Sequence, residues 1–134
     1  VVLVSLGGAQ ASARDARRQN DMHQITSAME SCYDDAACQA EGAYLSQATM
    51  PTGIGTYLAT VSTDPGTGSP AYTWIDNSST NQDYCIYAIL EKAASAGQVA
   101  IMTAGPEGVG EKEVADADEN GVPDAGTVTL ANCE

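Results

Sequence analysis

The hydrophobic positions in the first part of the chain recur at the spacing of an α-helix. They follow one another at intervals of three or four residues, which places them on one helical face. The face is formed by Met22, Ile25, Met29 and Cys32. No proline occurs before position 51. The pattern therefore predicts a helix from about Ala9 to Cys32, with a soft joint at Gly7 and Gly8.

Beyond residue 71 the pattern changes to short segments rich in β-branched and aromatic residues. These segments are the strand candidates, at residues 71–76, 84–90, 98–103 and 126–133. The polar stretch 77–83 predicts a hairpin-like link between the first two. Proline and glycine are dense in residues 63–70, which indicates a turn in a region that is mostly loop.

The order of these segments defines a fold class. A helix followed by strands indicates an α+β fold, in which a long N-terminal helix packs on a small antiparallel sheet. The 134 residues contain no internal repeat and no dividing linker, so we expect one domain over residues 1–134. Its parts are the helix (1–32), a helix-to-sheet loop region (33–71), and the sheet with its C-terminal tail (72–134).

Charge narrows the choice of partners. The net charge is −13, and such a surface repels the phosphates of nucleic acids and of anionic membranes. Residues 1–18 nevertheless carry three arginines against one aspartate, a net of +2, which leaves −15 for the rest of the chain. This basic collar can attract the acidic body of a neighbouring copy, or it can be a solvated helix face.

Four cysteines indicate an oxidising compartment, because the chain is small and none of their spacings is the CxxC of a zinc or redox site. Four cysteines allow three pairings. The short separation favours Cys32–Cys38, and Cys85–Cys133 would then tie the tail to a strand. The alternative is four buried free thiols.

Residues 116–124 carry the sharpest chemical motif, "DADENGVPD". Alternating oxygen-bearing side chains around a glycine match the first nine positions of an EF-hand calcium loop. The predicted ligands are Asp116, Asp118, Asn120, the backbone carbonyl of Val122, and Asp124. Position twelve is Thr127 rather than glutamate, so Glu111 or Glu113 is expected to complete the set. The predicted calcium is structural, and the alternative is a solvated acidic loop.

Catalytic patterns are weak throughout the chain. The single histidine, His23, stands next to no nucleophile in a known motif, and no glycine-rich loop has phosphate-binding spacing. We therefore predict that the protein is not an enzyme. Asn77-Ser78-Ser79 matches a glycosylation sequon, which in a chain of this kind is usually a chance match.

The N-terminal region resembles the first helix of type IV pilins and of type II secretion pseudopilins. Residues 2–30 fit that family's pattern A-R-x6-D-x3-I-x2-A, with Ala13, Arg14, Asp21, Ile25 and Ala28 at the named places. Residues 57–76 resemble a D-P-x-G-x-P-Y motif of pseudopilins, with an inserted residue or two. The matching residues there are Asp64, Pro65, Gly68, Pro70 and Tyr72. Residues 104–121 resemble the pseudopilin loop that often binds calcium.

The resemblance implies a structural subunit of a type IV pilus-like extracellular filament. The apolar N-terminal segment of the chain, "VVLVSL", would be the end of a longer apolar helix that anchors the precursor in the inner membrane. Assembly machinery would then pack copies into a filament on the cell surface. The helix residues expected to set the contacts between copies are Arg14, Arg17, Arg18 and Asp21. The alternatives are the major pseudopilin of a type II secretion system and a calcium-dependent cell-surface adhesion module.

Overall fold

One long helix precedes four antiparallel strands in the computed structural model, which describes residues 2–66 and 71–133. The elements are α1 (Val2–Tyr33), β1 (Thr73–Trp74), β2 (Ile86–Ile89), β3 (Gln98–Gly105), β4 (Gly108–Ala115) and a short 3-10 helix (Leu130–Cys133). The predicted α+β class, with the helix packed on a small antiparallel sheet, is confirmed. None of the helices in the described ranges is both long enough and apolar enough to cross a membrane.

The sheet is a meander with the strand order β1-β2-β3-β4. β1 contributes only two pairs, Thr73 with Tyr87 and Trp74 with Ile86. β3 and β4 form the longest hairpin, in which pairing continues down to Gly105 opposite Gly108. Gly108 has a φ of 115°, so the tight turn needs a residue without a side chain at that place.

The main core lies between α1 and one face of the sheet. The predicted apolar face of the helix is buried there: Met22, Met29 and Cys32 are fully covered, and Ile25 is 2% exposed. They pack with alternate residues of β3, which are Ala100, Met102 and Ala104. Each large side chain buried in this way stabilises the fold by about 1.5–3 kcal/mol.

The opposite face of the sheet carries a second, smaller cluster. Val99 and Ile101 of β3 pack there with Val114 of β4, and Val128 of the tail lies against them. β3 is therefore buried on both faces, and the C-terminal tail covers the side that α1 leaves open.

Two disulfides hold the chain, and both favoured pairings are confirmed: Cys32–Cys38 and Cys85–Cys133. The second closes a loop of 48 residues, for which the chain-entropy model gives about 4 kcal/mol. The tail comes so close to the sheet that a Cβ atom on Gly105 would lie 2.4 Å from the carbonyl oxygen of Cys133.

Three sequence predictions need correction. Residues 126–133 do not form a strand: they are turns and the short 3-10 helix, closed by Asn132, whose Oδ1 accepts hydrogen bonds from the backbone and side chain of Thr129. The fourth strand is β4, which has a charged and glycine-containing sequence. Only Val114 of this strand is buried, so its sequence shows no alternation of apolar and polar residues. β1 is shorter than 71–76, since the chain beyond Ile75 turns to bond the loop at Gln47.

Candidate assembly helix and acidic loop

The N-terminal part of α1 projects from the body. Residues 6–13 are exposed on every side of the helix, with only Ala11 half-buried, and Leu6 is 52% exposed. Eight consecutive residues of a helix cover every side of it. Apart from the contact at Ala11, the body therefore leaves this part of the helix uncovered. We call residues 6–13 the projecting segment. It is about 12 Å long and carries no charged residue.

A cluster of five charged residues lies where the helix enters the body. We call it the exit cluster, and it consists of Arg14, Asp15, Arg18, Asp64 and Glu91. Its centre is Arg18, whose side chain is fully buried. The guanidinium donates two hydrogen bonds to Asp64, of 2.9 and 2.7 Å, and one each to Asp15 and Glu91, both of 2.7 Å.

The other members connect the same three segments. Arg14 donates two hydrogen bonds to Glu91, of 2.7 and 2.6 Å. Asp15 accepts backbone N–H bonds from Glu91 and Lys92, in the link between β2 and β3. The hydrogen bonds from Arg14 lower the pKa of Glu91 from 4.5 to about 2, and Arg18 acts in the same direction. The exit cluster thus fastens α1 to the 61–66 loop and to the β2–β3 link.

This arrangement corrects the expected basic collar. The exit cluster combines two positive with three negative side chains, so Arg14 and Arg18 are neutralised within the chain. Arg17 alone of the three arginines is exposed. No ion pair between Arg17 and Asp21 forms among the described residues, because Asp21 is buried and accepts a hydrogen bond of 2.6 Å from the Tyr72 hydroxyl.

Two residues of the D-P-x-G-x-P-Y resemblance reach the helix. Asp64 binds Arg18, and Tyr72 binds Asp21 three residues further along α1. Burial raises the pKa of Tyr72, and its bond to Asp21 adds to that effect. Gly68 and Pro70 lie outside the described residues. The sequence shows the motif but not these pairings, because its spacing does not indicate which helix residues Asp64 and Tyr72 contact.

The acidic loop brings three of the five predicted ligands together. Carboxylate oxygens of Asp116, Asp118 and Asp124 lie within 4.8 Å of one another. The loop bends through Glu119, with a φ of 52°, and Gly121, with a φ of 81°. Three carboxylate oxygens at this distance suit a hard cation such as calcium, which takes six to eight oxygens and would draw the others from backbone or water.

The same loop is also closed by its own backbone. Asp116, 3% exposed, accepts N–H bonds of 3.0 Å from Asn120 and 2.8 Å from Gly121. The Asn120 amide oxygen accepts a bond of 2.8 Å from the N–H of Val122, and Asp124 accepts one of 3.1 Å from Ala117. These bonds account for the loop's shape without an ion, so calcium stays a prediction.

The expected additional ligands lie elsewhere. Glu111 forms an ion pair with Lys92, and Glu113 accepts hydrogen bonds from the backbone and hydroxyl of Ser95. Both belong to β4, the strand that precedes the acidic loop. They fasten β4 to the β2–β3 link rather than joining the three aspartates.

The sequon asparagine has a structural place. Asn77 is fully buried, its amide nitrogen donates to the carbonyls of Leu45 and Asp83, and its oxygen accepts from the N–H of Gln47. A side chain bonded in this way joins the loop of residues 45–47 to the β1–β2 link. It leaves no room for a glycan in the folded domain. His23 is exposed on α1.

Comparisons with known protein-family models, with curated proteins and with solved structures found no match for this chain. The architecture is nevertheless loosely pilin-like, because one N-terminal helix packs on a small four-stranded antiparallel sheet. Function must therefore be argued from the projecting segment, the exit cluster and the acidic loop themselves.

Proposed function

We propose that the protein is a structural subunit of a type IV pilus-like extracellular filament, which assembles through α1 and performs no catalysis. The projecting segment is the observation that supports this proposal. Residues 6–13 are uncharged, and the body shields none of them except half-buried Ala11. A helical segment whose surface lies in water gains stability when other molecules cover its apolar groups. Packing among copies would supply that cover.

The exit cluster adds a mechanical argument. A helix that has to carry packing contacts outside its own domain must leave the body in a fixed direction. Arg18 is held by three carboxylates, from α1 itself, from the 61–66 loop and from the β2–β3 link. Such a multiply bonded guanidinium fixes geometry more strictly than apolar contacts do.

Under this proposal the partners are copies of the same chain and the assembly machinery of a pilus or secretion system. Before assembly, an apolar segment ahead of Val1 would hold the protein in the inner membrane. The acidic loop, with calcium if it binds it, would have a structural role.

A pseudopilus of a type II secretion system is the second candidate. The contacts Asp64–Arg18 and Tyr72–Asp21 favour it, because they involve residues of the pseudopilin-like motif. Both candidates use the same helix and differ in where the filament forms. A pilus extends from the cell surface, whereas a secretion pseudopilus stays within the cell envelope.

The deciding experiment uses the protein from its native cells. We expect N-terminal sequencing with intact-mass measurement to find an apolar run ahead of Val1, and immunogold electron microscopy to label filaments. Label on surface filaments supports the pilus, and label confined to the envelope supports the pseudopilus. A mature chain that starts at Val1, together with the absence of labelled filaments, contradicts the proposal. The adhesion module would then be the better account.

A further inference from the structure

We propose that neighbouring copies in the filament are joined by an ionic contact between Arg17 of one copy and the acidic end of α1, Glu30 and Asp34, of the next. This inference rests on the proposed function and adds to it the surface that each copy offers the other. It is argued from the charges that the subunit leaves without partners.

Arg17 is the donor because the subunit uses its other cations internally. The chain has five basic residues. Arg14 and Arg18 belong to the exit cluster, Lys92 pairs with Glu111, and Lys112 donates to the backbone carbonyl of Asn132. Arg17 is exposed, and among the described residues it has neither an ion pair nor a side-chain hydrogen bond.

The acidic end of α1 is the acceptor because it lacks a cation of its own. No lysine or arginine occurs between residues 19 and 91, and none lies in the last turn of α1. Glu30 lies in the last turn of α1 and Asp34 directly follows Tyr33, the last residue of the helix. Both are exposed, and like charges this close in sequence repel each other. They also stand at the negative end of the helix dipole. A positive side chain from outside relieves both effects.

The geometry of the helix makes the contact intermolecular. Arg17 and Glu30 are 13 residues apart, which corresponds to roughly 20 Å along the axis and about 220° around it. An arginine side chain cannot span that distance within one molecule. Donor and acceptor are thus different patches of the chain, and a head-to-tail contact between unlike patches generates an open, helical assembly when its rotation does not close into a ring.

Several other acidic groups already have partners within the molecule. In the acidic loop, backbone N–H groups of Asn120 and Gly121 already bind the carboxylate of Asp116. Asp35 is likewise occupied by the N–H of Ala37 and the hydroxyl of Tyr57. Glu30 accepts one bond from the Tyr44 hydroxyl, and Asp34 has no partner of this kind among the described residues. Asp34 is exposed and therefore open to a cation from a second copy.

The test is a charge exchange in full-length protein expressed in the native cells, read as the mass of sheared filaments. Arg17→Glu replaces an attraction by a repulsion at each contact, so we expect at least a roughly tenfold loss. Arg17→Glu with Asp34→Arg should restore filaments to within about threefold of the original amount. The matched control combines Arg17→Glu with Glu107→Arg, which makes the same charge change at the exposed β3–β4 turn and should restore nothing.

Each result decides the matter. An undiminished yield of Arg17→Glu filaments overturns the inference, as does equal rescue by Glu107→Arg, which would make net charge the cause. The melting temperature of the isolated variant must equal that of the original, so that a folding defect is separated from lost contact. If the unaltered protein forms no filaments, the proposed function fails and this inference fails with it. If filaments form but the exchange has no effect, only the inference fails.

Discussion

Arg18 and Asp64, which are 46 residues apart in sequence, form a bidentate ion pair. The fully buried Arg18 guanidinium donates hydrogen bonds of 2.9 and 2.7 Å to the Asp64 carboxylate. The pair fastens a loop that has almost no regular structure to the middle of α1. Two further carboxylates share the same guanidinium. The stability of the helix exit therefore depends on one side chain more than on any apolar contact near it.

The first prediction concerns that side chain. Arg18→Met leaves Asp15, Asp64 and Glu91 close together without their shared cation, so we expect a loss of about 3–5 kcal/mol in the free energy of unfolding. Urea unfolding measures it. Arg17→Met is the matched control, since Arg17 is exposed, and should change stability by no more than about 0.5 kcal/mol. Equal effects of the two substitutions would show that the exit cluster contributes no stability.

Acid should weaken the exit cluster through Glu91. Its pKa of about 2 in the folded protein lies below the ordinary 4.5, so its contribution is complete above about pH 4.5 and is lost as the pH falls towards 2. We expect the stability difference between the original protein and Glu91→Gln to shrink over that range. Urea unfolding at several pH values measures the difference, and a difference that stays constant from pH 5 to pH 2 contradicts the assignment.

The buried bond between Tyr72 and Asp21 gives a third prediction. Tyr72→Phe leaves the Asp21 carboxylate buried without its donor, which should cost about 1–3 kcal/mol in urea unfolding. Tyr57→Phe removes an exposed hydroxyl that also binds an aspartate, and should cost less than about 0.5 kcal/mol.

Alkali should act on the same residue. The raised pKa of Tyr72 means that its contribution is complete below the ordinary tyrosine value of about 10 and is lost as the pH rises above it. The unfolding free energy of the original protein should therefore fall above pH 10 more steeply than that of Tyr72→Phe. Parallel pH profiles for the two proteins would contradict this expectation.

Two glycines should respond to alanine in opposite directions. A Cβ atom at Gly105 would lie 2.4 Å from the backbone oxygen of Cys133, so Gly105→Ala must displace the tail and should cost about 1–3 kcal/mol. Gly8 lies in α1 with open space around it, and Gly8→Ala should stabilise the helix by up to about 1 kcal/mol. Thermal unfolding of both variants and helical circular dichroism of Gly8→Ala provide the measurements.

Calcium is tested at the acidic loop. If it binds Asp116, Asp118 and Asp124, millimolar calcium should raise the melting temperature of the original protein, and Asp118→Ala should remove that increase. In chelator, the same substitution should cost only the hydrogen bonds from Asn120 to Asp118. An equal loss with and without calcium, or no shift in the original protein, would show that the loop is a solvated acidic turn.

The sequence predicted the parts of the fold in which burial follows a simple period. Met22, Ile25 and Met29 repeat at helical spacing because one face of α1 meets the sheet. β4 was missed because it is a half-exposed strand in which seven of eight residues are not buried, so no alternation remains to be read. The apolar residues Val128 and Leu130 of the tail predict a strand. In the structure Val128 instead packs onto the face of the sheet that α1 leaves open.

The candidate site shows a similar division. The aspartates of the acidic loop are close in sequence, so their spacing was enough to place them together. The exit cluster joins residues 46 and 73 positions apart, and no local pattern can show such a meeting. The sequence therefore predicts a free basic collar or a solvated helix face, whereas Arg14 and Arg18 are bonded within the chain.

The bond between Cys85 and Cys133 also decides how the protein behaves when its chain is cut. Everything from β2 to the 3-10 helix lies inside the covalent loop that this disulfide closes. A protease that nicks the exposed stretch around Glu119 therefore separates no fragment from the molecule. The two pieces remain one particle until a reductant opens the disulfide, so the protein can survive a break in this exposed stretch.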